Sequence, residues 1–211
     1  MRKPAFIAIF LFLVSCQNHI VRSGWVKETA PDNFIARFET TKGQFSVSIQ
    51  RNASPQAVDR FYQLIRHHYF TNAVFYRVIP DFVAQFGNSD TVISAQWDKH
   101  IIQDEKVLLS NKRGSISFAR SGKNSRSREL FFNLKDNPRL DTINYAGVRG
   151  FPVFGHITSG LEVLDSIFGG YSSKTLGQLD VMYKNRVAFL DSFPKLTIIK
   201  KVYLLKKTVQ P

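Results

Sequence analysis

The sequence predicts a mainly β fold, a closed antiparallel β-barrel capped by two α-helices. Many short stretches alternate apolar and polar residues, which is the pattern of strands with one buried face. Two other segments repeat apolar residues at helical spacing. The 211 residues include 19 Phe and 12 Gly, and they suffice for one sizeable core. We therefore expect a single β-rich domain without internal repeats.

A β-hairpin and a helix come first. Alternating apolar residues at 34–38 and 45–49 flank the turn signal Thr41-Lys42-Gly43, so this region is predicted to form two paired strands. Ser54-Pro55 has the composition of an N-cap followed by a first-turn proline. The apolar residues that follow predict an amphipathic helix over residues 55–66, whose apolar face should close the barrel.

Six further strands and a second helix complete the predicted barrel. Five of the strands are short apolar stretches, at residues 74–78, 82–86, 115–119, 130–134 and 152–157. Ser159 and Glu162 form a capping-box pattern ahead of the second helix, and Gly169-Gly170 should end it. The apolar, β-branched residues 196–205 are the last predicted strand, and residues 171–195 are expected to form an extra loop over one barrel end.

The N-terminus has the features of an export signal. Arg2 and Lys3 precede an apolar run at residues 5–14, which is too short to span a bilayer comfortably. The run ends in Leu13-Val14-Ser15-Cys16, which resembles the lipobox of bacterial lipoproteins. An ordinary signal peptide with an incidental cysteine is the alternative.

These features predict four regions. We expect a lipoprotein signal peptide at 1–15, a lipidated tether at 16–33 on which Trp25 docks against the domain, the folded domain at 34–206 and a C-terminal tail at 207–211. Lipidation of Cys16 would anchor the protein in the bacterial cell envelope, at the periplasmic face of a membrane, the outer rather than the inner one. Because Cys16 is the single cysteine, the mature domain would contain no disulfide.

The formal net charge of +13 favours anionic partners. One segment concentrates this charge, in Lys112, Arg113, Arg120, Lys123, Arg126 and Arg128. We interpret it as a solvated rim that favours acidic peptides or anionic lipid. A nucleic-acid interface is not expected, since no aromatic stacking motif accompanies the cluster. The histidines lack metal-ligand spacing, so no metal site is predicted.

The most informative stretch is FYRVIPDFVAQFGN, residues 75–88. It places Arg77 between apolar residues, with Phe82 and Gln85 at short offsets. A guanidinium at the edge of an apolar pocket can hydrogen-bond a weak acceptor. The alternatives are that Arg77 is a packed or salt-bridged arginine, that Phe82 is ordinary core and that Gln85 faces solvent.

Four stretches together resemble the cyclophilin-type peptidyl-prolyl cis-trans isomerases, over residues from about 34 to 206. They are FETTKGQFSVSI at 38–49, the arginine stretch at 75–88, GSISFARSGKNSRSRELFFNL at 114–134 continuing to Asp141, and VFGHITSGLEVLDSI at 153–167. The resemblance implies the barrel fold, isomerisation of X-Pro bonds without cofactor or metal, and a monomer that binds proline-containing segments of unfolded or flexible exported proteins.

The resemblance also implies residue roles. Arg77 corresponds to the catalytic arginine, and the implied substrate-binding residues are Phe82, Gln85, Ala119, Arg120, Glu129, Phe131, Leu140 and Phe151. Of these, Phe82 and Phe131 would line the proline pocket beside Leu140. Gln85 would bond the substrate backbone. The residues before proline would bind the main chain of 119–120.

Several positions depart from the family pattern. Glu129 replaces a glutamine, and we expect it to pair with Arg77, either holding it or drawing it away from substrate. Arg139 replaces an aromatic residue, Phe151 replaces His or Tyr, and Val83 and Phe118 replace methionines. These departures keep two alternatives open: a peptide-binding module without efficient catalysis, and a structural envelope protein with a vestigial cleft.

Overall fold

The computed structural model describes residues 21–87 and 90–205. Its strands are β1 Asn33–Thr40, β2 Gly43–Gln50, β3 Ala73–Ile79, β4 Val83–Gly87, β5 Ser115–Phe118, β6 Leu130–Asn133, β7 Asn144–Tyr145, β8 Val148–Arg149, β9 Val153–Ser159 and β10 Ile198–Leu205. Its α-helices are α1 Pro55–Arg66, α2 Thr91–Asp98, α3 Arg139–Thr142, α4 Glu162–Asp165, α5 Leu179–Lys184 and α6 Arg186–Ser192.

Eight strands close into an antiparallel barrel, in the order β1-β10-β3-β4-β6-β5-β9-β2. The two remaining strands, β7 and β8, form a separate small hairpin. In β1, Ile35 lies opposite Leu205 on one side, and Phe38 lies opposite Phe45 on the other. The closed barrel confirms the predicted fold class.

Phenylalanine fills the barrel interior. Of the phenylalanines in the described ranges that are exposed by 1% or less, nine belong to the main core: Phe38, Phe45, Phe61, Phe70, Phe75, Phe86, Phe118, Phe132 and Phe154. The rings of Phe38 and Phe45 stack with centroids 4.7 Å apart, and Phe132 meets both edge-on. Since side chains occupy the interior, a binding site has to lie on the outside of the barrel.

Helix α1 has the predicted bounds, but its N-terminal cap comes from elsewhere. The Ser54 hydroxyl makes no bond to the helix backbone. The Glu105 carboxylate instead accepts the backbone N–H groups of Gln56 at 2.9 Å and Ala57 at 3.2 Å, and the Ser54 hydroxyl at 2.5 Å. A carboxylate also complements the positive end of the helix dipole. Ser54 is thus the N-cap residue and Pro55 lies in the first turn, as predicted, but the capping bonds to the helix backbone come from Glu105 and not from the serine hydroxyl.

The second predicted helix is short, and its capping box is absent. Ser159 is the last residue of β9, and α4 covers only Glu162–Asp165. Gly160, at φ +78°, turns the chain between the two elements. With Ser159 committed to the sheet, the capping-box prediction is wrong.

Residues 171–193, called here the helical segment, are not the loop that was expected. They contain a 3₁₀ helix at Lys174–Gln178 followed by α5 and α6. Their buried side chains Met182, Phe189 and Phe193 pack on Val74 and Tyr76, on the outer face of β3. The segment buries an apolar face that the barrel would otherwise expose.

Residues 21–33 pack on the domain. Trp25 stacks on His67 with ring centroids 3.8 Å apart, and Nε2 of His67 lies 3.0 Å from Oε1 of Glu28. Val21 and Ala30 are buried. The expected docking of Trp25 is thus confirmed. Cys16 and the predicted signal peptide lie outside the described residues and stay predictions.

Among the described residues, no helix combines the length and apolar composition that crossing a bilayer requires.

The basic cluster of residues 112–128 is the expected solvated rim in only three of its six members. Arg126 is 1% exposed and lies 3.2 Å from Glu105, and Arg128 is mostly buried, 2.9 Å from Asp98. Arg120 is buried as well, so the exposed members are Lys112, Arg113 and Lys123. The carboxylates come from residues 98–105, which pack on the cluster. That packing has no local sequence signal.

Candidate active site

The site begins at an irregularity in β3. Arg77 pairs with Gln85 and Val74 with Gly87, so β3 has one more residue than β4 between these pairs. Such a bulge re-aims side chains. Tyr76 and Arg77 both reach Gln85, whereas Phe75 and Val78 belong to the interior core. Arg77 is thereby placed on the outside of the barrel, half-buried.

Arg77 is held by two neutral partners. Its Nη1 donates to Oε1 of Gln85 at 3.2 Å, and its Nε donates to the Ser173 hydroxyl at 3.3 Å. Gln85 is oriented in turn, because its Nε2 donates to the Tyr76 hydroxyl at 2.5 Å. Among the described residues, Nη2 has no hydrogen-bond partner and Arg77 has no ion pair, so it is not a salt-bridged arginine. The positive charge of Arg77 and the N–H donors of its Nη2 therefore stay available to a ligand.

An apolar pocket lies across the neighbouring strands. Gln85 on β4 is directly opposite Phe131 on β6, which puts Arg77, Gln85 and Phe131 in one row. Phe131 packs with Val83 and Leu140. Around these three lie Phe82, Ala119, Ile143 and Phe151. The pocket and Arg77 line one cleft of about 1160 Å³, large enough for a peptide segment.

A buried amide network supports the pocket loops. Asn137 donates to the Phe82 carbonyl at 2.9 Å and to Asn133 at 2.8 Å, and Asn133 donates to Asn111 at 3.0 Å. Asn111 donates to Asp141 at 2.8 Å and to the Phe151 carbonyl at 3.0 Å. Fully satisfied buried networks hold their members in one geometry. This one joins the loops that carry the pocket residues at 82, 140 and 151.

The same network holds Asp141 ionised. Burial alone would raise the pKa of its carboxyl. Hydrogen bonds from Ser110 and Asn111 outweigh that effect and lower the pKa below its usual value.

Arg120 has a structural role that its predicted main-chain function does not capture. Its guanidinium donates to the carbonyls of Gly150 at 2.5 Å and Val148 at 2.9 Å, and it lies 4.0 Å from the Phe151 ring centroid. It therefore ties the β7–β8 hairpin to the pocket. Phe151 thereby packs against a guanidinium that is itself fixed by two carbonyls.

Glu129 does not pair with Arg77, so that prediction is wrong in both of its forms. Its Oε1 accepts from Arg128, and its other oxygen lies against Gly87, where a Cβ would come within 2.1 Å. Burial raises the pKa of Glu129 to about 7, although Arg128 and the Tyr76 hydroxyl oppose that rise. The arginine that Glu129 contacts is therefore the adjacent Arg128, while Arg77 is bonded by Gln85.

All nine predicted cleft residues come together. Arg77, Phe82, Gln85, Ala119, Arg120, Glu129, Phe131, Leu140 and Phe151 all line the same cleft. Their roles toward a substrate stay predictions. Two further residues at the site were not predicted: Leu176 lines the cleft, and the Ser173 hydroxyl accepts a hydrogen bond from Arg77. Both belong to the helical segment, whose sequence contains no motif that links it to the site. Arg139 also lines the cleft.

The cleft contains no metal-like cluster: across residues 21–87 and 90–205, no three His, Cys, Asp or Glu side chains gather closely enough to hold a metal ion.

Comparison with known proteins decides the family. Residues 35–185 match the family model of the cyclophilin type peptidyl-prolyl cis-trans isomerase/CLD. The chain belongs to the cyclophilin-type peptidyl-prolyl cis-trans isomerases. This match includes the row of Arg77, Gln85 and Phe131 and the loops that surround the pocket.

Relatives in this family are bacterial and eukaryotic. Peptidyl-prolyl cis-trans isomerase A of Dickeya dadantii (strain 3937) is 32% identical over 132 residues, which cover 61% of this chain and 67% of that one. Peptidyl-prolyl cis-trans isomerase-like 2 of Gibberella zeae is 29% identical over 188 residues, which cover 86% of this chain but 30% of the longer relative. The cyclophilin-type domain is thus the shared part.

The barrel also matches a solved cyclophilin. The crystal structure of a cyclophilin type peptidyl-prolyl cis-trans isomerase of Cryptosporidium parvum aligns with a TM-score of 0.60 and 21% identity, over 83% of this chain and 99% of that one. A second structure of that protein was obtained in the presence of the dipeptide Ala-Pro. At this identity the likeness shows the fold.

Proposed function

We propose that this cyclophilin-type protein isomerises X-Pro bonds in exported, incompletely folded proteins, and that Arg77 stabilises the twisted amide. The observation that carries this proposal is the placement of Arg77: half-buried, outside the barrel, and in one row with Gln85 and the Phe131 pocket. The apolar pocket suits a proline ring, and the cleft is long enough for its flanking residues.

The chemistry requires a donor and no group transfer. Rotation about an X-Pro bond crosses a barrier of about 18–20 kcal/mol, because it breaks amide resonance. The prolyl nitrogen regains its lone pair only in the twisted state. A hydrogen bond to that nitrogen therefore favours the transition state over both planar states. The unpaired Nη2 of Arg77 offers such a donor beside the pocket.

Arginine suits this task because it stays charged and its fork is rigid. Gln85 and Ser173 hold two of its nitrogens, so the guanidinium is preorganised for the developing acceptor.

The export part of the proposal is supported by the sequence at the N-terminus. A charged start, a short apolar run and Cys16 after Leu13-Val14-Ser15 favour a lipid-anchored envelope protein. Replacing Cys16 with serine should release the protein from the membrane fraction of the producing cells. Persistence of the Cys16→Ser variant in that fraction would contradict lipid anchoring and leave the isomerase proposal untouched.

The catalytic proposal is tested by isomerisation kinetics with tetrapeptides that contain one X-Pro bond. Arg77→Ala should lower kcat/KM by about a hundredfold, since it removes the one donor that acts in the transition state. Arg113→Ala is the matched control: Arg113 is an exposed arginine that pairs with Asp165 away from the cleft lining. Full activity of Arg77→Ala, or no acceleration by the wild type, would overturn the proposal. Peptide binding without acceleration would instead identify a binding module.

A further inference from the structure

We propose that the helical segment completes the active site: Ser173 is a positioning residue for Arg77, and Leu176 forms an apolar subsite for the residue flanking the substrate proline. This inference rests on the proposed isomerase function. It assigns a role in peptide selection to residues 171–193, which otherwise cover the outer face of β3.

The segment approaches Arg77 from the side opposite Gln85. A strand has two hydrogen-bonding edges. At Val78, one edge faces Ala84 of β4, so the bridge between Val78 and Ser172 must use the other edge. Ser173 follows directly and therefore reaches Arg77 from that second side.

Two contacts of similar length then hold the guanidinium between them. Nε donates to the Ser173 hydroxyl at 3.3 Å, and Nη1 donates to Gln85 at 3.2 Å. A planar guanidinium that is bonded at two of its nitrogens from opposite sides cannot swing about its long side chain. The N–H groups of the remaining nitrogen, Nη2, therefore point in a fixed direction. A fixed donor direction is needed to stabilise a transition state selectively.

The hydroxyl of Ser173 is placed by fixed neighbours. Ser172 bridges to Val78, and Thr175, which is fully buried, donates through its hydroxyl to the backbone carbonyl of Tyr76. These two anchors flank Ser173 in the chain and attach to the residues on either side of Arg77. The geometry of the arginine and that of the segment are therefore linked.

Leu176 differs from the exposed Val181 and Val187 of the segment in lining the cleft. It is 40% exposed, and it lines the cleft, while Met182 and Phe189 are fully buried. The Phe131 pocket lies on the Gln85 side of Arg77. Because the helical segment reaches Arg77 from the opposite edge of β3, we place Leu176 across Arg77 from that pocket. A peptide with its proline in the pocket and its backbone crossing Arg77 would bring a flanking side chain onto Leu176. Burial of an apolar side chain there would favour that residue class.

The positioning role is tested with Ser173→Ala, Ser173→Thr and the matched control Ser192→Ala. Ser192 lies in the same segment and donates only to the Ala188 carbonyl. Ser173→Ala should lower kcat about tenfold with KM unchanged, because Arg77 loses one of two partners. Ser173→Thr keeps the hydroxyl and should retain kcat. Unchanged kcat in Ser173→Ala, or an equal loss in Ala and Thr variants, would overturn this role.

The subsite is tested with tetrapeptides that carry Gly, Leu or Phe next to the proline. Wild type should prefer Leu and Phe. Leu176→Ser should lower kcat/KM for those peptides about fivefold and leave the Gly peptide unchanged. Val187→Ser is the control, since Val187 is a 70% exposed residue of the same segment outside the cleft lining. If Leu176→Ser retains the preference for Leu and Phe over Gly, the subsite proposal is wrong.

Failure of the proposed function and failure of the role of the helical segment give different results. An inactive wild type would remove the proposed function. An active wild type that is insensitive to Ser173→Ala and Leu176→Ser would remove only the role of the helical segment.

Discussion

Replacing Glu129 by glutamine should abolish a pH dependence of stability that arises from one buried carboxyl. Burial raises the pKa of Glu129 from 4.5 to about 7, Arg128 and the Tyr76 hydroxyl act to lower it, and Asp98 adds to the rise. The side chain is 21% exposed. Tyr76 and the neighbouring Tyr183 have raised pKa values themselves, so they stay neutral through the range in which Glu129 titrates.

The magnitude follows from linkage. A rise of this size corresponds to about 3 kcal/mol, at about 1.4 kcal/mol per pH unit. The folded state binds the proton more tightly than the unfolded state, so the stabilising effect is complete below the unfolded pKa of 4.5. It is lost as pH rises through 7. Relative to Glu129→Gln, the wild type should therefore lose about 3 kcal/mol between pH 4 and pH 8.

Urea unfolding of both proteins at pH 4, 6 and 8 measures this difference, since subtraction cancels the other titrating groups. Glu162→Gln, at an exposed position, serves as the control and should show no such trend. A wild-type-minus-variant difference that is the same at all three pH values would refute the assignment of the pH dependence to Glu129.

The remaining predictions concern catalysis and support of the cleft. Because Tyr76 and Gln85 connect Glu129 with Arg77, the wild-type kcat/KM should show an inflection near pH 7 that Glu129→Gln lacks; identical profiles would contradict it. Glu105→Ala removes both the cap of α1 and a partner of buried Arg126. Urea unfolding should show that the free energy of unfolding falls by about 3 kcal/mol. A fall of less than about 1 kcal/mol would be inconsistent with both roles. Gly150→Ala should lower the free energy of unfolding by about 2 kcal/mol, because φ is +68° and a Cβ would lie 2.5 Å from the Asp141 carbonyl oxygen. Gly24, which has open space around it, is the control. An equal loss in Gly24→Ala would contradict this explanation. The lowered pKa of Asp141 stabilises the fold at pH values above the unfolded aspartate pKa, and this stabilisation is lost as pH falls through the folded pKa. The stability of Asp141→Asn should therefore decrease less steeply with falling pH than that of the wild type. Equal slopes of stability against pH would exclude the effect.

The barrel could be predicted because each strand carries its own signal. In β1 and β2 the alternation of apolar residues matches the alternation of buried positions, and the turn between them has its glycine at positive φ. The row of Arg77, Gln85 and Phe131 could also be predicted, since these residues stand at family offsets along the chain. Their meeting in space follows from the pairing of β3, β4 and β6.

Contacts between segments that are far apart in the sequence and show no hydrophobic periodicity or motif could not be predicted. Ser173 reaches Arg77 from 96 residues away, and Glu105 caps α1 from 49 residues away. The predicted ion pair of Glu129 with Arg77 was wrong, because the direction of the Glu129 side chain decides whether it contacts Arg77 or Arg128, and the sequence does not show that direction. Composition marked the arginines near Glu129 as a solvated surface, whereas carboxylates from residues 98–105 cover them.

The antiparallel register that sets Ile35 beside Leu205 brings the start of β1 and the end of β10 together at one end of the barrel. A fusion partner joined after residue 205 would therefore emerge next to the start of β1. A short loop could join the two strands into a circular permutant with new termini elsewhere on the surface. If the proposed lipid anchor at Cys16 holds the N-terminus to a membrane, a domain fused after β10 would lie on the same side of the barrel as that anchor.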